Sequence, residues 1–286
     1  MLITAHDSPP SLRAEGLAAG AMDFISRPID NEELAARVKV MLRISETEKR
    51  LVSMNQELEG MVADRTRKLR RSLENLRTTM KGTITVLGRT VEWRDPYTAG
   101  HQRRVAELVQ KISNLMGLDK DRVEGAYTAA LVHDLGKIAV PAEILAKPTR
   151  LTKAEFELIK GHSTVGFDIL KDIKFPWPVA TMIRQHHERM DGSGYPDGAK
   201  GDKILLEARV IGVADVVEAI SAHRPYRPAL GLDVAVDEIR KNRDRLYDPN
   251  VVDSLLKLID DGWKFDREAG DDAARGSLTQ TQPTAS

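Results

Sequence analysis

Cysteine is absent from the 286 residues, which excludes disulfides, thiolate zinc sites and a cysteine nucleophile. No apolar run reaches the roughly 20 residues that span a bilayer. Basic and acidic side chains balance at 43 each, so no strong net field draws the chain to nucleic acid or anionic lipid. We therefore expect a cytoplasmic protein with no membrane or nucleic-acid partner, in which any phosphate is recognised locally.

The beginning of the chain has the pattern of short apolar strands separated by helices. A strand is expected to end at Thr4, a helix to run toward Gly20, and a second strand to cover Met22–Ile25. The next helix should begin near Asn31, whose side chain is suited to cap it. This order predicts a small α/β unit.

Residues 1–43 resemble the C-terminal half of a response-regulator receiver domain. Thr4 matches the threonine of that family, but Arg27 occupies the position of its lysine, and the phosphoacceptor strand would precede Met1. We therefore expect no receiver phosphorylation of this chain. The alternative is an unrelated α/β cap.

A heptad pattern follows from Ile44 to about Leu87, where charged residues fill most positions between Leu51, Met54, Leu58 and Met61. The apolar series then shifts phase, with Arg65 at the interrupted core position, and restarts at Leu69, Leu73, Leu76, Met80 and Leu87. This pattern favours a signalling helix that pairs in parallel in a homodimer. The alternative is one long solvated helix that docks on its own domain.

Five of the seven histidines lie in the central part of the chain: His101, His133, His162, His186 and His187. An isolated histidine in a helical domain is usually structural, but these stand beside other polar residues. His133 and Asp134 are expected at the end of an apolar helix that Gly136 terminates, where a metal would offset the cost of burying charge. Asp215 lies in a helical apolar pattern, and a carboxylate buried there needs a partner.

Together the motifs resemble those of the HD superfamily of metal-dependent phosphohydrolases and, within it, the HD-GYP subfamily. They read HDLGK from His133, HHERMDGSGYP from His186 and RPYR from Arg224, with His101, His162 and Asp215 in the matching order. The similarity covers Thr83–Asp261. It implies a mainly α fold, in which an all-helical HD-type catalytic domain follows a long coiled-coil helix and the partial α/β receiver.

The resemblance also implies a domain organisation and an activity. The domains would be a partial receiver (1–43), a coiled-coil helix (44–82), the HD-GYP catalytic domain (83–265) and a disordered tail (266–286). The implied activity is metal-dependent hydrolysis of cyclic di-GMP to pGpG, or further to GMP. Two alternatives are an inactive domain that signals by binding cyclic di-GMP or a GGDEF-domain partner, and a generic HD phosphohydrolase, which would lack the HHERMDGSGYP element.

The family pattern assigns two ligand sets to this sequence. The first metal site would comprise His101, His133, Asp134 and Asp215, and the second metal site would comprise Asp134 as a bridge with His162, His186 and His187. Nitrogen and oxygen ligands without sulfur suit several divalent transition metals, and the family implies iron or manganese. Some members hold a third metal through a glutamate, but that position is Tyr97 here, and Glu92 has the wrong helical phase. We therefore expect two metals.

The remaining site residues concern catalysis and substrate. His133, Asp134 and Lys137 are the expected catalytic residues, and Lys137, Arg224, Arg227, Gly194 and Tyr195 are expected to bind the substrate. The glycines of the loop Asp191–Pro196 would permit positive φ angles. The alternatives are surface ion pairs for the two arginines and a simple tight connection for the loop.

Overall fold

The computed structural model describes residues 2–4, 10–26, 28–94, 100–222 and 230–265. The predictions for Arg27, Tyr97, Arg224, Arg227 and the tail 266–286 fall outside these ranges. The chain divides into two compact units, Met1–Arg77 and Thr78–Ser286.

The first unit contains the predicted strands and helices. Strand β1 (Leu2–Thr4) pairs in parallel with β2 (Phe24–Ser26), and helix α1 (Pro10–Ala18) lies between them in the chain. Strand β2 begins two residues later than predicted. A parallel pair needs such a crossover connection, which accounts for the intervening helix.

Helix α2 (Asn31–Glu92) begins at the predicted residue, but the predicted cap is wrong. Asp30 caps the helix, because its Oδ1 accepts the backbone N–H groups of Glu32 at 2.7 Å and Glu33 at 3.3 Å. Asn31 is already helical, whereas a capping side chain belongs to the residue before the first helical one.

Helix α2 is 62 residues long and unbroken, and residues 31–77 of it belong to the first unit. The heptad side chains Leu51, Met54, Leu58 and Met61 are 50–56% exposed. Such an apolar stripe gains stability only when another surface covers it.

The second unit is built from helices, which confirms the predicted fold class. After residues 78–92 of α2, the α-helices among the described residues are α3 (His101–Leu115), α4 (Lys120–Ala130), α5 (Ala142–Leu145), α6 (Lys153–Lys160), α7 (His162–Leu170), α8 (Val179–Gln185), α9 (Leu206–Ser221), α10 (Leu232–Lys241) and α11 (Pro249–Asp260). Short 3₁₀ helices cover Leu135–Ala139 and Gly201–Lys203. Among the described helices, none combines the length and the apolarity needed to cross a bilayer.

The core forms around α3, whose apolar residues recur every three or four positions. Val105, Leu108, Val109 and Ile112 are fully buried and face α4 and α9. This spacing places one continuous apolar face on the helix. Because α3 begins at His101 and α9 contains Asp215, the same packing brings both polar residues to the centre of the unit.

Candidate metal centre

His133 and Asp134 lie in the turn that joins α4 to the 3₁₀ helix Leu135–Ala139. Helix α4 ends at Ala130, so Gly136 does not terminate it, contrary to the sequence prediction. Gly136 has another role, because a Cβ atom there would lie 1.9 Å from the carbonyl oxygen of His162 and 2.5 Å from the amide nitrogen of Gly166. The missing side chain therefore lets the segment that contains His133, Asp134 and Gly136, here called the HD segment, approach the backbone of α7.

The other ligand candidates also lie at helix ends or on buried helices. His162 is the first residue of α7, and His186 and His187 directly follow α8. A Cβ atom at Gly212 of α9 would lie 2.5 Å from the carbonyl oxygen of His186, so glycine permits close packing here too. This contact brings the helix of Asp215 next to the tandem histidines.

The structure brings all seven predicted ligands together. Three overlapping groups each place their ligand atoms within 4.8 Å of one another: His101, His133 and Asp215; His133, Asp134 and His186; and His162, His186 and His187. His101 Nε2 lies 3.3 Å from Asp215 Oδ1, and His162 Nε2 lies 3.4 Å from His186 Nε2. Ligand atoms each about 2.0–2.2 Å from one ion are at most about 4.4 Å apart. The 3.3 Å and 3.4 Å separations therefore fit metal coordination.

The carboxylate of Asp134 faces two different groups of histidines. Its Oδ1 lies 3.5 Å from His162 Nε2, whereas its Oδ2 lies 3.7 Å from His133 Nε2 and 3.8 Å from His101 Nε2. A carboxylate oriented in this way has one oxygen for each of two neighbouring cations. Lys137 Nζ also contacts Oδ2, at 2.6 Å.

The second ring nitrogen of four histidines is already engaged. Nδ1 of His133, His162 and His186 contacts the carbonyl oxygen three residues earlier, at 2.6–2.7 Å. Nδ1 of His101 instead contacts Glu218 Oε2. Such contacts fix the orientation of a histidine ring and leave Nε2 to coordinate a metal.

The protonation preferences of three of the histidines and of Asp134 also suit metal ligands. Burial, reinforced by the neighbouring imidazoles, lowers the pKa of His186 to about 3 and also lowers the pKa of His187. Burial, reinforced mainly by the positive charge of Lys137, lowers the pKa of His162. Burial alone would raise the pKa of Asp134, but Lys137 and the surrounding histidines lower it well below its usual value. Neutral imidazoles and ionised carboxylates are the forms that bind metals.

Two buried ring nitrogens support the same interpretation. Within the described part of the chain, Nε2 of His101 and Nε2 of His133 have no well-aligned hydrogen-bond partner. An unpaired polar group is costly to bury, and a cation would resolve that cost. The residues present therefore fit divalent transition metals held by nitrogen and oxygen ligands.

The loop after the tandem histidines covers one side of the cluster. Tyr195 stacks on the His187 ring, with centroids 4.7 Å apart. Gly192 has the predicted positive φ, at +83°, but Gly194 does not. Gly194 is needed for close packing instead, because a Cβ atom there would lie 2.4 Å from the Cα of Glu188.

Glu188 holds this loop and was not among the predicted site residues. Its side chain is buried, and Oε1 accepts the backbone N–H of Asp197 at 2.7 Å. The chain beyond Tyr195 is therefore fixed to the residue that follows His187.

Glu218 and Arg104 are two further residues that the sequence analysis missed. Glu218 is 2% exposed, and its Oε1 accepts hydrogen bonds from Arg104 Nε at 2.9 Å and Nη2 at 2.6 Å. The available signal was helical spacing, since Glu218 follows Asp215 by three residues and Arg104 follows His101 by three.

Comparison with known proteins agrees with this geometry. A family profile described as "HD domain" matches residues 85–251, which is more than half of the chain. The cyclic di-GMP phosphodiesterase response regulator RpfG of Xanthomonas campestris pv. campestris is 35% identical over 259 residues, 90% of this chain and 66% of that protein. A cyclic di-GMP phosphodiesterase of Thermotoga maritima is 32% identical over 298 residues, 99% of this chain and 78% of that protein.

A third relative differs in its named substrate. The 3'3'-cGAMP-specific phosphodiesterase 3 of Vibrio cholerae is 38% identical over 177 residues, 62% of this chain and 38% of that protein. The chain thus spans less than two thirds of the length of RpfG and of the Vibrio cholerae protein. The matched profile and the similarity to the Thermotoga maritima protein over 99% of this chain show that the chain belongs to the HD-domain family.

Proposed function

We propose that the chain is a phosphodiesterase that hydrolyses cyclic di-GMP at a centre of two divalent metals. The observation that carries this proposal is the orientation of Asp134, whose two carboxylate oxygens face His162 on one side and His101 and His133 on the other. The names of the first two relatives support cyclic di-GMP as the substrate.

The first metal site and the second metal site share Asp134, as the sequence analysis expects. In this proposal the first would be completed by His101, His133 and Asp215, and the second by His162, His186 and His187, and each of these two sets has its ligand atoms within 4.8 Å of one another. Two metals, which we propose are iron or manganese, would supply an activated water and neutralise the charge of the phosphodiester. No third metal is proposed, because both oxygens of Glu92 already accept backbone N–H groups.

The residues around the metals would bind and orient the substrate. Lys137 Nζ, 2.6 Å from Asp134, lies beside the centre and would contact a phosphate oxygen. Tyr195 stacks beside His187, and its loop, with Gly194, would form one wall. Arg224 and Arg227 would contact the second phosphate or a guanine edge, as planar guanidinium groups can do with two hydrogen bonds.

We also propose that the active form is a homodimer that pairs through the heptad stripe of α2, whose side chains are half exposed. A GGDEF-domain protein is a second proposed partner, by analogy with the HD-GYP subfamily.

The test is hydrolysis by metal-loaded protein of cyclic di-GMP, 3'3'-cGAMP and bis(p-nitrophenyl) phosphate, with products separated by ion-exchange chromatography. We expect cyclic di-GMP to be cleaved to pGpG or GMP and the activity to require added Mn²⁺ or Fe²⁺. Asp134→Asn should abolish cleavage, because it removes the charge shared by both metal sites. Asp168→Asn is the matched control, since Asp168 is exposed and pairs only locally with Lys171 among the described contacts.

Three outcomes would contradict the proposal in different ways. Binding of cyclic di-GMP without cleavage would indicate a signalling module. Faster cleavage of 3'3'-cGAMP would reassign the substrate, and cleavage of bis(p-nitrophenyl) phosphate alone would indicate a generic phosphohydrolase.

A further inference from the structure

The last turn of α2 caps the helix that begins with His101. Glu92 Oε2 accepts the backbone N–H of Gly100 at 3.1 Å, and Glu92 Oε1 accepts that of Gln102 at 2.9 Å. Gly100 has no side chain to cap α3, and its φ of +71° favours glycine. Glu92 therefore supplies the negative charge and the acceptor that a helix N-terminus requires, and it fixes the backbone on both sides of His101.

The same end of α2 also contacts the segment that contains His133 and Asp134. A Cβ atom at Gly88 would lie 2.4 Å from the carbonyl oxygen of Leu131 and 2.4 Å from Gln102 Oε1. Beyond the HD pair, the Arg94 side chain donates to the carbonyl oxygens of Ile138 and, at 3.4 Å, Val140. The end of α2 and the turn after it thus contact the chain before and after these ligands.

Burial shows that these contacts belong to the core of the second unit. Ile84 and Val91 of α2 are 5% and 3% exposed, and they pack among the buried residues of α3 and α4. The final two turns of α2 are therefore held by packing as well as by hydrogen bonds.

We propose that Glu92 is a positioning residue of the first metal site, and that the end of α2 and the turn after it, through Gly88, Glu92 and Arg94, set the position of His101 relative to Asp134. This inference rests on the two-metal centre proposed above. Glu92 contacts neither metal nor substrate and acts through the backbone at His101. A shift of the α2 end would therefore change the first metal site before the second, whose histidines lie on α7 and after α8.

The test compares the two metal sites separately by calorimetric titration with Mn²⁺ in the full chain. A His162→Ala background weakens the second metal site, and a His101→Ala background weakens the first. Adding Glu92→Ala should weaken Mn²⁺ binding about tenfold or more in the His162→Ala background, the size expected for partners that orient a ligand. In the His101→Ala background the same change should leave the affinity within about twofold, because among the described contacts Glu92 touches no ligand of the second metal site.

A glycine pair provides a second, independent perturbation. Gly88→Ala should force α2 away from Leu131 and Gln102 and weaken the first metal site in the same assay. Gly82→Ala on the same helix is the matched control, because a Cβ atom there has no neighbour within 4 Å among the residues that the structure describes. Glu92→Gln keeps one acceptor oxygen and serves as the milder variant if Glu92→Ala does not fold, as judged by circular dichroism.

Equal loss of Mn²⁺ affinity in both backgrounds would show that Glu92 only stabilises the fold and has no specific effect on the first metal site. Unchanged affinity in both backgrounds would show that Glu92 does not position His101. Either result overturns the inference. Failure of the unmodified protein to cleave cyclic di-GMP would instead refute the proposed activity, and it would leave the Mn²⁺ comparison interpretable.

Discussion

The imidazole of His101 and the carboxylate of Glu218 form a buried pair, in which Nδ1 contacts Oε2. Burial by itself would lower the pKa of His101 and raise that of Glu218, but the opposite charge of each partner outweighs burial, so the pKa of His101 is raised and that of Glu218 is lowered. Arg104 holds the second oxygen of Glu218. The pair therefore orients His101 from the side opposite to the metal centre.

Replacing Glu218 should weaken the first metal site. Glu218→Ala removes the partner of Nδ1, so the His101 ring can rotate, and Mn²⁺ affinity measured by calorimetry in the His162→Ala background should fall about 10–100-fold. The Mn²⁺ affinity of Glu218→Gln should lie between that of Glu218→Ala and that of the chain with Glu218 intact, because glutamine retains one acceptor oxygen. The control is Glu107→Ala, which removes an exposed ion pair with Arg103 on α3, the helix that also contains His101. Unchanged affinity in Glu218→Ala would show that the pair does not orient the ligand.

Adding one methyl group at Gly136 should disrupt the approach of the HD segment to α7. Because the new Cβ would overlap the backbone at His162 and Gly166, Gly136→Ala should lower the free energy of unfolding by about 1–3 kcal/mol or more. It should also weaken the second metal site, which contains His162. Urea denaturation and Mn²⁺ titration measure the two effects. A variant as stable as Gly82→Ala would contradict this account of Gly136.

Removing the carboxylate of Glu188 should release the loop that contains Tyr195. Glu188→Ala leaves the part-buried backbone N–H of Asp197 without its charged acceptor, and the loss of such a hydrogen bond costs about 1.5–3 kcal/mol. We expect a higher KM for cyclic di-GMP, because one wall of the site is no longer fixed. Asp197→Ala is the control, since it keeps the backbone N–H of Asp197 and removes only an exposed pair with Arg184. Equal KM values for the two variants would argue against a loop-holding role.

Charges in the heptad stripe should separate the proposed dimer. Leu51→Asp combined with Leu58→Asp places carboxylates opposite one another in a parallel pair, and analytical ultracentrifugation should then show a monomer where the unmodified chain is a dimer. The control is Glu57→Asp, which changes a neighbouring polar position outside the stripe. An unmodified chain that sediments as a monomer, or a dimer that tolerates both charges, would leave dimerisation to another surface.

The amino-acid sequence by itself determined the helical class of the second unit and the identity of its candidate ligands. Periodic apolar residues, such as Val105, Leu108 and Ile112 of α3, define a buried helix face without knowledge of what covers it. The order of His101, the HD pair, His162, the tandem histidines and Asp215 likewise identified the family, because motif order is a property of the chain alone.

Tertiary structure alone decided how these residues meet. Gly136 lies where a helix stop was predicted. A side chain is excluded there for another reason, because the backbone of His162, 26 residues later, lies too close. Glu92 and Glu218 are ordinary acidic residues in the sequence, and they gain their roles only when helix packing places them beside the backbone and the ring of His101. A local sequence pattern indicates which face of one segment is buried. The positions of the candidate ligands depend instead on distances between segments, which only the tertiary fold determines.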